Sequence, residues 1–98
     1  MKVVGRSRLH AFVEGHADAR RWLANWLADA ERAAWRTPHD IKRHYASASI
    51  LERNVVIFNV RGNEYRMEVT VSYNSATVVI NWIGTHAEYD RRNRQRTR

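Results

Sequence analysis

The segment Gly84-Thr85-His86-Ala87-Glu88-Tyr89-Asp90, followed at once by Arg91 and Arg92, gathers an imidazole, a phenol and guanidinium groups within a few residues. An imidazole changes its protonation near neutral pH, and a guanidinium is a permanent planar cation whose fork matches an oxyanion. Together they suit proton transfer beside a bound anion. A solvated loop with no chemistry has the same composition, and that reading stands beside the first. Upstream lies Thr77-Val78-Val79-Ile80-Asn81-Trp82-Ile83, a β-branched and aromatic run that Gly84 can interrupt. The polar residues are therefore expected where a strand leaves the edge of a sheet.

The elements that must position them follow from periodicity. From Asn54 onward the period is that of strands, over residues 55–60, 64–72 and 76–83, with turns at Arg61-Gly62-Asn63 and Tyr73-Asn74-Ser75. This predicts an antiparallel meander of three strands. In the middle one Tyr65, Met67, Val69 and Val71 share one face while Arg66, Glu68 and Thr70 share the other, so Arg66 projects away from the apolar row. Before the meander, Lys2-Val3-Val4-Gly5 reads as a short strand, and Ser7 as the cap of a helix bearing Leu9, Phe12 and Val13 that ends near Gly15. Asp18 precedes a longer helix with Ala19, Trp22, Leu23, Trp26, Leu27, Ala30 and Ala34 on one side, closed by Trp35. Trp22 and Trp26 share that stripe with leucine and alanine, which favours core packing over a base-stacking platform.

Thr37-Pro38 with Asp40 predicts a capped third helix over residues 39–45, and Ala46-Ser47-Ala48-Ser49 a polar link to the sheet. His10, His16, His39 and His44 lack the spacing of a metal site and read as surface or structural residues. Strand, helices and sheet in this order make an α+β fold in one domain.

Ninety-eight residues support one core, not two. The chain has no cysteine, which excludes disulfides, thiolate metal sites and a thiol nucleophile. No apolar run approaches the roughly 18 to 20 residues of a membrane span, and none resembles a secretory leader, so the expected location is cytoplasmic with no membrane partner. The net charge of +7 is concentrated at the end, where Arg91, Arg92, Arg94, Arg96 and Arg98 fall in the last eight residues. Residues 1–90 retain only twelve bases against ten acids. We therefore expect a domain over 1–92 and a basic, flexible tail over 93–98, which either draws the protein towards nucleic acid or only keeps it in solution.

Two long stretches, Val56-Ile57-Phe58-Asn59-Val60-Arg61-Gly62-Asn63-Glu64-Tyr65-Arg66 and Gly84 to Asp90, resemble the HigB family of type II toxin-antitoxin toxins, itself similar to the RelE group of messenger RNA endonucleases. Residues 35–42 and Ser47-Ala48-Ser49 extend the resemblance over nearly the whole chain. It implies a single RelE-like domain, with a short N-terminal strand and helices packed on one side of a twisted antiparallel sheet and RNA received on the other. It also implies a ribosome-dependent endoribonuclease, an mRNA interferase that cuts messages during translation without metal or cofactor and contacts ribosomal RNA. A HigA-like helix-turn-helix antitoxin, which makes the DNA contact, would hold it inactive.

The resemblance further implies that Arg66 and the segment after Gly84 face one cleft. Metal-independent RNA cleavage needs a base for the ribose 2′-hydroxyl, positive charge for the phosphorane-like transition state, and an acid for the leaving oxygen. Arg66 is expected as the phosphate clamp, His86 as acid or base, and Tyr89 as the residue that positions the nucleotide or shares in proton transfer. Arg61, Asn63, Tyr65, Arg91 and Arg92 are the RNA-binding candidates. Each has a structural alternative: Asn63 suits the turn, Tyr65 the apolar face, and Arg66 a pairing with Glu68 or Glu88. Glu88 is a reserve base, and Glu64 stands where many relatives carry lysine, weakening local attraction for phosphate. A non-catalytic RNA- or ribosome-binding module and a ParE-like gyrase poison are the competing functions, and His86 with Tyr89 favours RNA chemistry over the gyrase reading.

Overall fold

A computed structural model of the protein, described here for residues 1–96, contains five strands and four α-helices. The strands are β1 (Lys2–Val4), β2 (Ser49–Ile50), β3 (Val55–Val60), β4 (Tyr65–Ser72) and β5 (Thr77–Thr85). The helices are α1 (Arg6–Gly15), α2 (Arg20–Arg32), α3 (Pro38–His44) and α4 (His86–Arg96), with a 3-10 turn over Ala17–Ala19 before α2. The expected α+β architecture is present, and the sheet order is β1-β5-β4-β3-β2.

The sheet is wider than the predicted meander and is mixed, because β1 pairs in parallel with β5, Lys2 opposite Thr77 and Val4 opposite Val79. Its exit needs glycine twice over. Gly5 has φ +95°, and a Cβ there would lie 2.9 Å from the Ile80 carbonyl oxygen. Gly5 is consequently the N-cap of α1, and Ser7, expected in that role, lies inside the helix. The link over residues 46–49 also differs from expectation at its end, since Ser49 and Ile50 pair with Ile57 and Val56 as a second edge strand.

Helix α2 buries Leu23, Trp26 and Ala30 and stops at Arg32, where Ala33 turns extended, so Ala34 and Trp35 lie beyond it rather than closing it. Trp26 meets Phe58 edge-on at 5.5 Å between ring centroids, as core packing requires. Helix α3 begins with the expected cap in full: the Asp40 N–H donates to Thr37 Oγ1, and Asp40 Oδ2 accepts from the Thr37 and Arg36 N–H groups. These hydrogen bonds, that from Arg36 foremost, hold the Asp40 carboxyl below its ordinary range.

Helices α1 to α3 lie on one face of the sheet, where Val56, Phe58, Val60, Met67, Val69, Val71 and Ile80 form one core with Leu9, Leu23, Trp26 and Ile41. Burying each large side chain of this kind contributes about 1.5–3 kcal/mol relative to leaving it in water. Period-2 alternation then sends Arg66, Glu68 and Thr70 to the opposite face. Among the described residues no helix is long and apolar enough to cross a membrane.

Candidate active site on the second face of the sheet

Arg66 sits in the middle of this face, opposite Asn59 of β3 and Gly84 of β5. One row along, Ile57, Glu68 and Trp82 stand abreast. Just past this second row β5 carries a bulge: Glu68 opposes Trp82 but Val69 opposes Ile80, leaving Asn81 as the extra residue. The Asn81 amide uses that freedom to donate to Thr70 Oγ1 at 2.7 Å and Glu68 Oε2 at 3.3 Å.

The residues after Gly84 form a helix rather than a loop at a sheet edge. Strand β5 runs on to Thr85, and α4 opens with a reciprocal cap in which Glu88 N–H donates to Thr85 Oγ1 at 3.2 Å and Thr85 N–H to Glu88 Oε1 at 2.8 Å. Thr-x-x-Glu was the signal for this helix start. Hydrogen bonds from Thr85 hold the Glu88 carboxyl below its ordinary range, with the Arg91 guanidinium adding to the effect. Glu88, the reserve base, is thus engaged in starting the helix. Gly84 belongs to the same corner, because a Cβ there would lie 2.5 Å from Trp82 Cζ2 and 2.9 Å from Glu88 Oε1.

Helical spacing now puts His86, Tyr89 and Arg92 on one side of α4, against the sheet. Arg66 Nε donates to His86 Nε2 at 3.4 Å, and the Arg66 guanidinium carbon lies 4.8 Å from the centroid of the Tyr89 ring. Tyr89 is 7% exposed and packs at 6.0 Å against Trp82. Arg92 lies over the other part of this stack, 5.3 Å from the Trp82 ring, and Arg92 Nη1 donates to Glu68 Oε1 at 2.6 Å. His86 and Tyr89 therefore both contact Arg66, with Arg92 two aromatic rings away.

The remaining candidates lie elsewhere. Tyr65 is on the core face, 9% exposed, edge-on to Phe12 at 5.1 Å and to His16 at 5.2 Å. Its hydroxyl donates to Asp18 Oδ1 at 2.8 Å, which raises the phenol above its ordinary range. Arg61 reaches the other Asp18 oxygen at 3.2 Å, and Asn63 is exposed in the hairpin turn. Arg91 is exposed on α4. The arginines through Arg96 fall on this helix, while the last two residues of the expected tail, Thr97 and Arg98, lie outside the described residues. Asn81 and Trp82 were not singled out from sequence, where they read as members of ordinary strands, and Glu68 was named there only as a pairing partner for Arg66. Among the described residues no group of three or more histidine, aspartate or glutamate side chains is arranged to hold a metal ion.

A mixed sheet with three helices on one face, and a basic helix seated on the other, defines a compact α+β domain. Residues 19–92 match the family HigB_toxin, described as the RelE-like toxic component of a toxin-antitoxin system, and the chain belongs to that family. It is a toxin component, and an antitoxin is its implied partner. A search of curated proteins found no match.

Proposed function

We propose that this toxin is an endoribonuclease that cuts messenger RNA on the translating ribosome and is neutralised by a HigA-like antitoxin. The observation that carries the reading is the meeting of Arg66, His86 and Tyr89 on the open face of the sheet. Arg66 supplies charge and a donor fork for the scissile phosphate. Tyr89 lies under the guanidinium and fixes its plane. His86 stands next to that cation, and its imidazole is the base that takes the ribose 2′-proton.

In this mechanism the 2′-oxygen attacks phosphorus as His86 takes its proton, Arg66 stabilises the charge that builds on the phosphoryl oxygens, and the P–O5′ bond breaks as the 5′-oxygen takes a proton from solvent water, whose hydroxide the His86 imidazolium then neutralises. The products are a 2′,3′-cyclic phosphate and a 5′-hydroxyl. Asn63 in the hairpin turn and Arg91 on α4 are exposed to RNA, while Arg61 reaches it only by leaving Asp18. The function is cytoplasmic, and the contact with DNA belongs to the antitoxin.

The test is primer extension on a defined message in a purified translation system, with and without ribosomes, using the intact protein, His86→Ala and Arg66→Ala. New ends that need ribosomes and vanish in both variants support the reading. Arrested replication with intact messages points to a gyrase poison instead, and ribosome binding without cuts points to a non-catalytic module.

A further inference from the structure

The most deeply placed charge on the second face is the Glu68 carboxylate, 2% exposed in the middle of the sheet. A buried carboxylate is costly unless charge and hydrogen bonds surround it, and an apolar residue in its place would fill the same space at less cost. Its oxygens accept from two directions. Oε1 takes Arg92 Nη1 from α4 at 2.6 Å, and Oε2 takes the Asn81 amide from the β5 bulge at 3.3 Å. Asn81 is itself tied to Thr70, so the bulge and the carboxylate hold each other.

We propose that Glu68 is a positioning residue for the cleavage reaction described above: by gripping Arg92 it sets the seat of α4, and thereby the placement of Tyr89 and His86 against Arg66. The path is continuous. Arg92 lies over Trp82 at 5.3 Å, Trp82 packs on Tyr89 at 6.0 Å, the Arg66 guanidinium lies over Tyr89 at 4.8 Å, and Arg66 meets His86 at 3.4 Å. An apolar contact alone lets a helix slide or turn on its seat. A carboxylate that accepts a guanidinium in one direction fixes it, and a displacement near 1 Å at a reacting group can cost about a hundredfold in rate. The inference rests on the endonuclease reading for its rates, and it assigns Arg92 a role different from RNA contact. As an RNA ligand, Arg92 would be freed by loss of Glu68 and the protein would bind more tightly. As a grip, it would loosen the site and leave binding as it was.

The experiment is single-turnover cleavage on programmed ribosomes over a range of toxin concentrations, with intact protein, Glu68→Gln, Arg92→Met and the double variant, together with the His86 Cε1–H resonance of each free protein. We expect Glu68→Gln to lower the saturating rate about tenfold or more, to leave the half-saturating concentration within about twofold, and to move the His86 resonance. The double variant should be no slower than the slower single variant, since both break one contact. An unchanged saturating rate, or a change confined to the half-saturating concentration, overturns the proposal. If Glu68→Gln does not fold, Arg92→Lys keeps a cation near Glu68 while giving up the planar fork, and the same two quantities decide. If the intact protein makes no cuts, the endonuclease reading fails on its own account, and the resonance still decides the seat: a shifted His86 signal supports the grip and an unshifted one overturns it.

Discussion

The two faces of the sheet bury side chains by different rules. Towards α1, α2 and α3, Phe58, Met67, Val69 and Trp26 fit by volume, and any close-packed apolar set of that shape would give a similar stability. Towards α4, the buried groups include a carboxylate, an arginine fork and a phenol ring beneath a guanidinium, each constrained in direction as well as volume. The first face holds the fold together, and the second trades some stability for fixed orientation of polar groups. Damage on the two faces should therefore separate into lost folding and lost activity.

The sharpest separation is expected at His86. His86→Ala should lower cleavage by ~10²–10⁴-fold while leaving thermal unfolding nearly unchanged, because the side chain is half-buried and outside the apolar core. A variant that unfolds instead would merge the two faces into one cooperative unit. Next in size is the reverse case, Phe58→Ala, which removes a ring 1% exposed and in contact with Trp26, Trp35 and Tyr45. Chemical denaturation should show a loss of about 3–5 kcal/mol, with the folded fraction still cutting at the normal rate.

The helix caps refine the comparison at smaller scale. Thr37→Ala and Thr85→Ala each remove a cap hydroxyl, from α3 and α4 respectively, and each should cost about 1 kcal/mol. Only Thr85→Ala should also slow cleavage, since its helix carries His86 and Tyr89. Hydrogen exchange of each helix and cleavage rates of both variants would check this; equal rates would mean that α4 is held in place without its cap.

The smallest effect expected is a pH dependence of the α4 cap. The Glu88 carboxyl is depressed by its hydrogen bonds with Thr85, so its stabilisation is fully present above the ordinary glutamate value and is lost as pH falls through the lower folded value. The Thr85 amide proton should report this in an NMR titration, with a midpoint below the usual carboxylate range that disappears in Glu88→Gln. A midpoint at or above that range would mean that the reciprocal cap is not formed in solution.

Much of the first face was legible in the sequence because its signals are local and repetitive. The α2 stripe, the Thr37-Pro38-x-Asp40 cap and the alternation through Tyr65 to Val71 each depend on neighbours within a turn or a strand. Edge strands were only partly legible. β1 was read as a strand, but its parallel pairing with β5, far along the chain, was not, and the two residues of β2 gave periodicity little to act on. On the second face Arg66, His86 and Tyr89 were named from their chemistry and resemblance, and the structure brings them together. Tyr65, named with them, faces the core, as alternation with Arg66 demands, and its hydroxyl reaches Asp18. Helix α4 escaped detection because its arginine-rich sequence has little apolar face for a periodicity to reveal. The Glu68–Arg92 contact joins residues 24 apart, and a glutamate in a strand gives no sign that a helix will cover it.

The chemistry of the cut ends tests the central claim most directly. A defined message cleaved on ribosomes by the intact protein should yield an upstream fragment ending in a 2′,3′-cyclic phosphate and a downstream fragment with a 5′-hydroxyl, because the proposed nucleophile is the ribose oxygen beside Arg66 and His86. A 5′-phosphate on the downstream fragment would make water or another group the nucleophile and contradict the assignment, as would the same ends formed undiminished by His86→Ala.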